Sequence, residues 1–353
     1  MNRPVPLPLA PPPYPAEALH SWLRRVAALY QMTPRQLLHA VRVRPYVGKV
    51  YPCPRGAVQS ALEPPDLRYL ARLARCDPSR LGLNVSRLKE WLLVCGEWMI
   101  VCPLCILANL NGGTTAYERT VWRLATYTFC TRHRTPLVAV ESISQNIQDI
   151  EYCKRDALVL NDLEQIVAAQ IFEFEREIAR AFRGIAPPHF EQTLTTAGFL
   201  QLLLDLSTFV VEFWDVDMTH TVASSLDQHA ALLTHCSHLF SCRRPKRFSH
   251  LRANQRHASL ARIANPATRR AALWLVMQVI RLAPTPRPTH ALHLGYTAQD
   301  DFFGSRRHAG WAWLAAQARE WPAPYRTHFW AGFEGPDDTL KGTNDSLEGT
   351  ECH

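Results

Sequence analysis

The sequence predicts a mainly α-helical protein, and three observations support that class. Apolar residues recur every three or four positions in several long segments, which places them in one stripe on a helix. Three segments begin with a capping residue followed by proline, namely Thr33-Pro34, Asp77-Pro78 and Asn265-Pro266. Strand-like alternation is scarce, and the best short candidates are Arg42 to Tyr51 and Leu92 to Val101.

The first hundred residues predict two helical hairpins after a proline-rich, extended lead over residues 1–13. A helix from Ala16 to Tyr30 precedes a short helix from Thr33 to Val41, and the same order returns between Pro65 and Leu83. Such units in a basic segment favour DNA binding, so we predict a helix-turn-helix domain over residues 14–95. Helical hairpins are also common packing units, and the pattern alone leaves that interpretation open. The predicted DNA contacts are Arg24, Arg25, Arg35, Arg42, Arg44, Arg72, Arg75 and Arg80.

Residues 141–334 predict a C-terminal helical region, which a flexible tail follows over residues 335–353. Its longest amphipathic helix runs from Leu163 to Phe182, with an acidic outer face. Further helices are expected over Phe199 to Trp214, Val222 to Leu239, Pro266 to Ile280 and Ser305 to Trp321.

Charge is distributed unevenly along the 353 residues, whose net charge is +8. Residues 1–100 hold 14 basic and 6 acidic side chains, and residues 141–227 hold 5 basic and 15 acidic ones. Residues 228–299 contain 11 basic side chains and no acidic one. This zoning indicates one surface that faces nucleic acid and a separate surface that faces another partner.

The longest apolar run, Ala271 to Ile280, is too short for a membrane span, so we expect a cytoplasmic protein with reduced cysteines.

Two ligand pairs form the strongest chemical motif in the chain. Cys102 and Cys105 are separated by two residues, as are Cys130 and His133. Two tight turns of this kind supply the four ligands that tetrahedral Zn²⁺ prefers, which predicts a structural site in a zinc-binding module over residues 96–140. Unrelated buried cysteines are the simpler alternative. A second cluster, His235, Cys236, His238 and Cys242, is irregularly spaced, and we expect its side chains to be solvated or buried in a core instead of binding a metal.

These motifs resemble the TniQ family of transposon target-selection proteins, which includes TnsD. The opening match is Glu17 followed by Ser21-Trp22 and Arg25 on the first predicted helix. The second match is the pair of ligand motifs with Tyr117-Glu118-Arg119 and Trp122-Arg123-Leu124 between them. The family often has another cysteine shortly after the second ligand pair, where this chain runs Leu137-Val-Ala-Val-Glu. Four ligands remain, and they still fill the coordination shell of a tetrahedral ion.

The resemblance implies a non-enzymatic adaptor acting on the bacterial nucleoid. Its implied partners are DNA, an AAA+ transposition regulator and the transposase, and in some members a CRISPR effector complex with its guide RNA or a second copy of the chain. Two alternatives stay open from the residues alone: a stand-alone helix-turn-helix DNA-binding regulator, and a zinc-dependent nucleic-acid enzyme. The chain shows no glycine-rich phosphate loop, no Gly-x-Ser-x-Gly and no His-Glu-x-x-His motif, so we expect no catalytic residues.

Overall fold

A computed structural model describes about half of the chain, and within that part the protein is mainly helical, as predicted. The described residues are 10–41, 64–81, 88, 90–93, 98–140, 150–151, 160–185, 195–212, 239–240, 259–282, 316–321 and 326. No helix among them combines the length and the apolar character needed to span a bilayer.

The N-terminal part contains two helical hairpins. The first hairpin consists of α1 (Leu19–Leu29), a four-residue turn and α2 (Pro34–Ala40), which begins at a capping box between Thr33 and Gln36. The second hairpin consists of α3 (Pro64–Leu73) and a single 3₁₀ turn (Pro78–Leu81). The sequence predicted a second helix after Asp77-Pro78, and the described residues show only this turn.

The apolar stripes of both hairpins pack into one N-terminal core, which confirms the helical spacing read from the sequence. Trp22 and Leu23 of α1 are fully buried in it, and Leu67 and Leu70 of α3 belong to the same core. Its buried members are Leu19, Trp22, Leu23, Val26, Ala27, Leu37, Leu38, Leu67, Leu70, Ala71, Leu73, Ala74 and Leu81.

A small sheet and a short helix follow. Strand β1 (Met99–Val101) pairs antiparallel with β2 (Val138–Val140), in a register that sets Val101 opposite Val138. Between the strands lie α4 (Pro103–Asn111) and a 3₁₀ turn (Thr120–Arg123). The predicted strand over Leu92 to Val101 is therefore confirmed at its end, whereas the candidate at Arg42 to Tyr51 lies outside the described residues.

Three longer helices pack against one another, α5 (Asp162–Ala181), α6 (Thr196–Glu212) and α7 (Pro266–Leu282), and α7 also contacts β2. All three were predicted within a few residues. Most of the helix predicted over Val222 to Leu239 and most of that over Ser305 to Trp321 lie outside the described residues, although residues 316–319 are helical. The outer face of α5 carries Asp162 and Glu173, but Glu164 and Glu175 are buried, so its acids are not all on the solvent side as the sequence suggested.

The sheet, α4 and these helices share one central core. Phe129 of the loop before β2, Phe174 of α5 and Phe199 of α6 are completely buried in it. The predicted zinc-binding segment and the C-terminal helices thus pack around a common interior, and the division at residue 140 stays a prediction about sequence boundaries.

Candidate metal centre and basic face

The first ligand pair lies where β1 ends and α4 begins. Cys102 is the residue before the helix, and Pro103 occupies the first helical position, where its missing N–H costs no hydrogen bond. Cys105 therefore lies in the first turn of α4, and the carbonyl of Cys102 accepts the N–H of Ile106. This local geometry turns both sulfur atoms toward the same side.

The second ligand pair lies in a tight turn that β2 follows. The Cys130 N–H donates to the Thr135 carbonyl at 2.9 Å, and the Arg134 N–H donates back to the Cys130 carbonyl at 2.7 Å. Arg134 has φ 53°, in the left-handed region that closes this turn. Because β2 pairs with β1, the turn is brought against the first ligand pair.

The four predicted ligands converge, with their ligand atoms all within 4.8 Å of one another. His133 Nδ1 lies 3.4 Å from Cys102 Sγ, 3.3 Å from Cys105 Sγ and 3.7 Å from Cys130 Sγ, and the Cys105 and Cys130 sulfurs are 3.7 Å apart. Two sulfurs bound at about 2.3 Å to one tetrahedral ion would be about 3.7 Å apart. The cluster can therefore hold a metal ion without rearrangement of its backbone.

The three thiols lie close enough to affect one another's ionisation. Hydrogen bonds with the Cys102 and Cys105 thiols lower the pKa of Cys130, whereas hydrogen bonding to Cys102 and Cys130 raises the pKa of Cys105. Without a positive charge, one thiolate so close to two others makes further ionisation costly. A divalent ion removes that repulsion and allows all three sulfurs to act as thiolates.

A buried carboxylate connects β1, next to the cluster, with α1 of the first hairpin. Glu118 Oε1 accepts the Ile100 N–H at 2.9 Å, and Glu118 Oε2 lies 2.5 Å from Nε2 of His20. Burial by itself would raise the pKa of Glu118, but the charges of His20 and Arg123 lower it below its ordinary value. Its own N–H donates to the Ser21 hydroxyl at 3.2 Å, so side chain and backbone both bind α1.

A second acidic group, Glu17, binds α1 through Arg25. We call these contacts of Glu17 and Glu118 with α1 the junction. Arg25 donates to Glu17 through two nitrogens, at 2.7 and 3.3 Å, and its guanidinium lies 4.3 Å from the centre of the Tyr14 ring. Tyr14 in turn stacks on Tyr117 with ring centres 5.0 Å apart. Ser21 and Glu118, which belong to the two matches that carried the family resemblance, therefore contact each other.

Helix α5 supports the second ligand pair through a buried acid that sequence reasoning did not single out. Glu175 accepts the N–H and hydroxyl of Thr128, at 2.8 and 2.5 Å, and the N–H of Phe129 at 3.2 Å. Burial raises the pKa of this carboxyl to about 8. The signal was present, because Glu175 interrupts the apolar stripe of Ile171, Phe174 and Ile178.

Two buried arginines of α7 support the same loop. Arg270 donates to the carbonyls of Thr128, Leu137 and Leu239, and Arg269 donates to those of Leu124 and Ala125. Burial lowers the pKa of Arg270 to about 9. Both residues belong to the acid-free segment that the charge pattern had associated with a surface, and here they are internal.

The predicted DNA contacts divide into three groups. Arg35, Arg72, Arg75 and Arg80 are exposed. Arg24 is half-buried with Nη1 3.1 Å from the Met99 sulfur, and Arg25 is bound to Glu17 as described above. Arg42 and Arg44 lie outside the described residues, as do His235, Cys236, His238 and Cys242 of the second, irregularly spaced cluster.

Comparison with known proteins gives one match. Residues 8–137, a little over a third of the chain, match the family model described as TniQ. This segment begins shortly before Tyr14 and ends after the second ligand pair, so it spans both the junction and the cluster. No curated protein and no solved structure matches the chain.

Proposed function

We propose that this chain is a target-selection adaptor of DNA transposition, because its residues 8–137 match the TniQ family model. In this role it recognises target DNA, or docks on an RNA-guided CRISPR effector complex, and recruits an AAA+ transposition regulator and the transposase. The family match is the observation that carries the proposal. The arrangement of the cluster and of the exposed arginines supports it.

The metal in this proposal is one structural Zn²⁺ held by Cys102, Cys105, Cys130 and His133. Three thiolates and one imidazole are a typical structural set for this ion, and four protein ligands fill a tetrahedral shell. No position is then left for an activated water. The ion would hold the end of β1, the start of α4 and the loop before β2 together, which is a scaffolding role.

The DNA partner is supported by the exposed arginines of the two hairpins. Arg35, Arg72, Arg75 and Arg80 are exposed, and in the described part of the hairpins the acids are Glu17, which is buried, and Asp66 and Asp77. Arginine contacts to phosphate release counterions, so affinity for duplex DNA should fall steeply as salt rises. Salt-independent binding, or no binding at low salt, would contradict direct DNA recognition and favour docking on the CRISPR complex.

The adaptor role is tested by target-directed insertion in cells that carry the whole transposon. Deletion of the gene should abolish insertion at the selected target, and the intact gene supplied on a plasmid should restore it. The purified chain should also bind the AAA+ regulator encoded beside it. Unchanged target choice after deletion, or neighbouring genes without a transposase and an AAA+ ATPase, would overturn the adaptor role and favour a stand-alone regulator.

A further inference from the structure

We propose that the first hairpin carries the base-reading surface of this protein, and that the surface is one exposed stripe of α2 and the turn before it: Met32, Arg35, Gln36 and His39. The inference rests on the proposed function, since it takes duplex DNA as the partner. It goes further by naming the element that enters the major groove and the side chains that discriminate bases.

The stripe is continuous in space. Arg35, Gln36 and His39 belong to α2 and Met32 lies in the turn before it, and together the four residues line a surface concavity of about 360 Å³. All four are exposed, whereas Leu37 and Leu38 on the opposite side of α2 are buried in the N-terminal core. The helix is thus anchored on one side and presents a mixed polar and apolar face on the other.

The side chains suit base edges better than phosphate alone. An arginine such as Arg35 can donate two hydrogen bonds to O6 and N7 of guanine, and an apolar side chain such as Met32 can contact the methyl group of thymine. The carbonyl oxygen of Gln36 accepts from the N–H and hydroxyl of Thr33, at 2.8 and 3.0 Å. This fixes the amide of Gln36 and leaves its NH₂ to donate to an acceptor such as a purine N7.

The surrounding charge is complementary to DNA. Residues 18–62 contain no Asp or Glu and seven Arg or Lys, so the stripe lies in an acid-free part of the chain. The only acid in the preceding described residues is Glu17, which is buried and bound to Arg25. A phosphate backbone approaching α2 therefore meets no acidic side chain from these residues.

The second hairpin has a different arrangement. Its exposed Arg72 belongs to α3, the first element of the hairpin, and the exposed Arg75 lies in the turn that follows α3. The first helix of a helix-turn-helix crosses the DNA backbone. Its second element is a four-residue 3₁₀ turn beside the exposed Asp77. These arginines are suited to phosphate contacts, which position the protein without reading sequence.

The test selects bound duplexes from a library with a randomised centre, using the full chain and two matched variants. Arg35→Ala and Arg72→Ala each remove one exposed arginine, and unchanged thermal unfolding of both would show that the fold is kept. The wild type should enrich a motif. Arg35→Ala should lose the preference at one or two adjacent base pairs and bind the motif about ten- to a hundredfold more weakly, with little effect on unrelated duplexes.

Arg72→Ala should weaken binding to the motif and to unrelated duplexes alike. It should also reduce the slope of log affinity against log salt concentration by about one, the value for one phosphate contact. The proposal is overturned if the wild type enriches no motif, if Arg35→Ala weakens all duplexes equally, or if Arg72→Ala is the variant that changes the motif. If insertion depends on this chain but the wild type enriches no motif, base reading by α2 is overturned and the adaptor role stands. If the wild type enriches a motif but deletion of the gene leaves target choice unchanged, the adaptor role is overturned and base reading stands.

Discussion

The N-terminal core and the central core place their charged side chains in opposite positions. The N-terminal core is made of aliphatic and aromatic groups, and arginines such as Arg35 and Arg72 lie on its outside. The central core encloses Arg123, Arg269 and Arg270, each of which donates to backbone carbonyls of neighbouring segments.

This difference shows that one residue type has two roles in one chain. An exposed guanidinium is available to an anionic partner, whereas a buried one satisfies carbonyl groups that no regular sheet or helix would pair. Net charge along the sequence therefore overestimates the charge on the surface. Arg269 and Arg270 contribute to the acid-free segment of residues 228–299, yet their guanidinium groups are internal.

The largest effect should come from removing a ligand of the metal cluster. Cys130→Ala takes away one of four ligand atoms, and structural zinc in small domains contributes on the order of 10 kcal/mol to folding. We expect loss of about one equivalent of zinc and of cooperative unfolding in the central core, measured by metal analysis and by amide hydrogen exchange in α5 and α7. Cys76→Ala, a half-buried cysteine outside the cluster, should retain both. Native protein without zinc would contradict this prediction.

The next largest effect should come from Glu118, which joins the two cores. Glu118→Ala leaves the Ile100 N–H without its acceptor and removes the carboxylate that faces His20 and Arg123, and breaking a buried ion pair in this way costs about 3–5 kcal/mol. The free energy of unfolding, measured in urea, should fall by that amount. Glu173→Ala is the matched control, because this exposed pair with Arg176 should contribute at most about 0.5 kcal/mol.

Glu118 also predicts a specific response to acid. Its pKa is lowered in the folded state, so the folded protein binds fewer protons there than the unfolded chain does. The stability it contributes is complete above its ordinary pKa and is lost as pH falls through the folded value. Glu118→Gln should therefore flatten the pH dependence of unfolding below about pH 5. An unchanged acid limb would contradict the assigned charge interaction.

Glu175 should respond to pH in the opposite direction. Because burial raises its pKa to about 8, the folded protein retains a proton that the unfolded chain loses at lower pH. Its contribution to stability is complete below the ordinary pKa of glutamate and declines as pH rises toward 8, with a slope of at most about 1.4 kcal/mol per pH unit. The free energy of unfolding from pH 5 to 8 should lose this slope in Glu175→Gln, and the exposed variant Glu173→Gln should keep it.

The sequence predicted the parts of the fold that depend on local spacing. The helices α1, α2, α5, α6 and α7 followed from apolar stripes and capping pairs, and the metal cluster followed from two ligand pairs with fixed gaps. The pairings of Glu118 with His20 and of Glu175 with Thr128 join residues 98 and 47 positions apart. No local pattern encodes such contacts, because they depend on how the sheet and the helices pack.

The smallest effect concerns the turn between α1 and α2, which positions the proposed base-reading stripe. Gln31 has φ 54°, and the Met32 N–H donates to the Ala27 carbonyl, which is the geometry of a helix end that favours glycine. Gln31→Gly should stabilise the N-terminal core by about 0.5–1 kcal/mol, since relief of backbone strain exceeds the added entropy of the unfolded chain. Ala28→Gly, at an exposed position within α1, should destabilise it by about 1 kcal/mol. Amide exchange in α1 and α2 measures both changes, and a loss of stability in Gln31→Gly would show that this turn depends on its side chain.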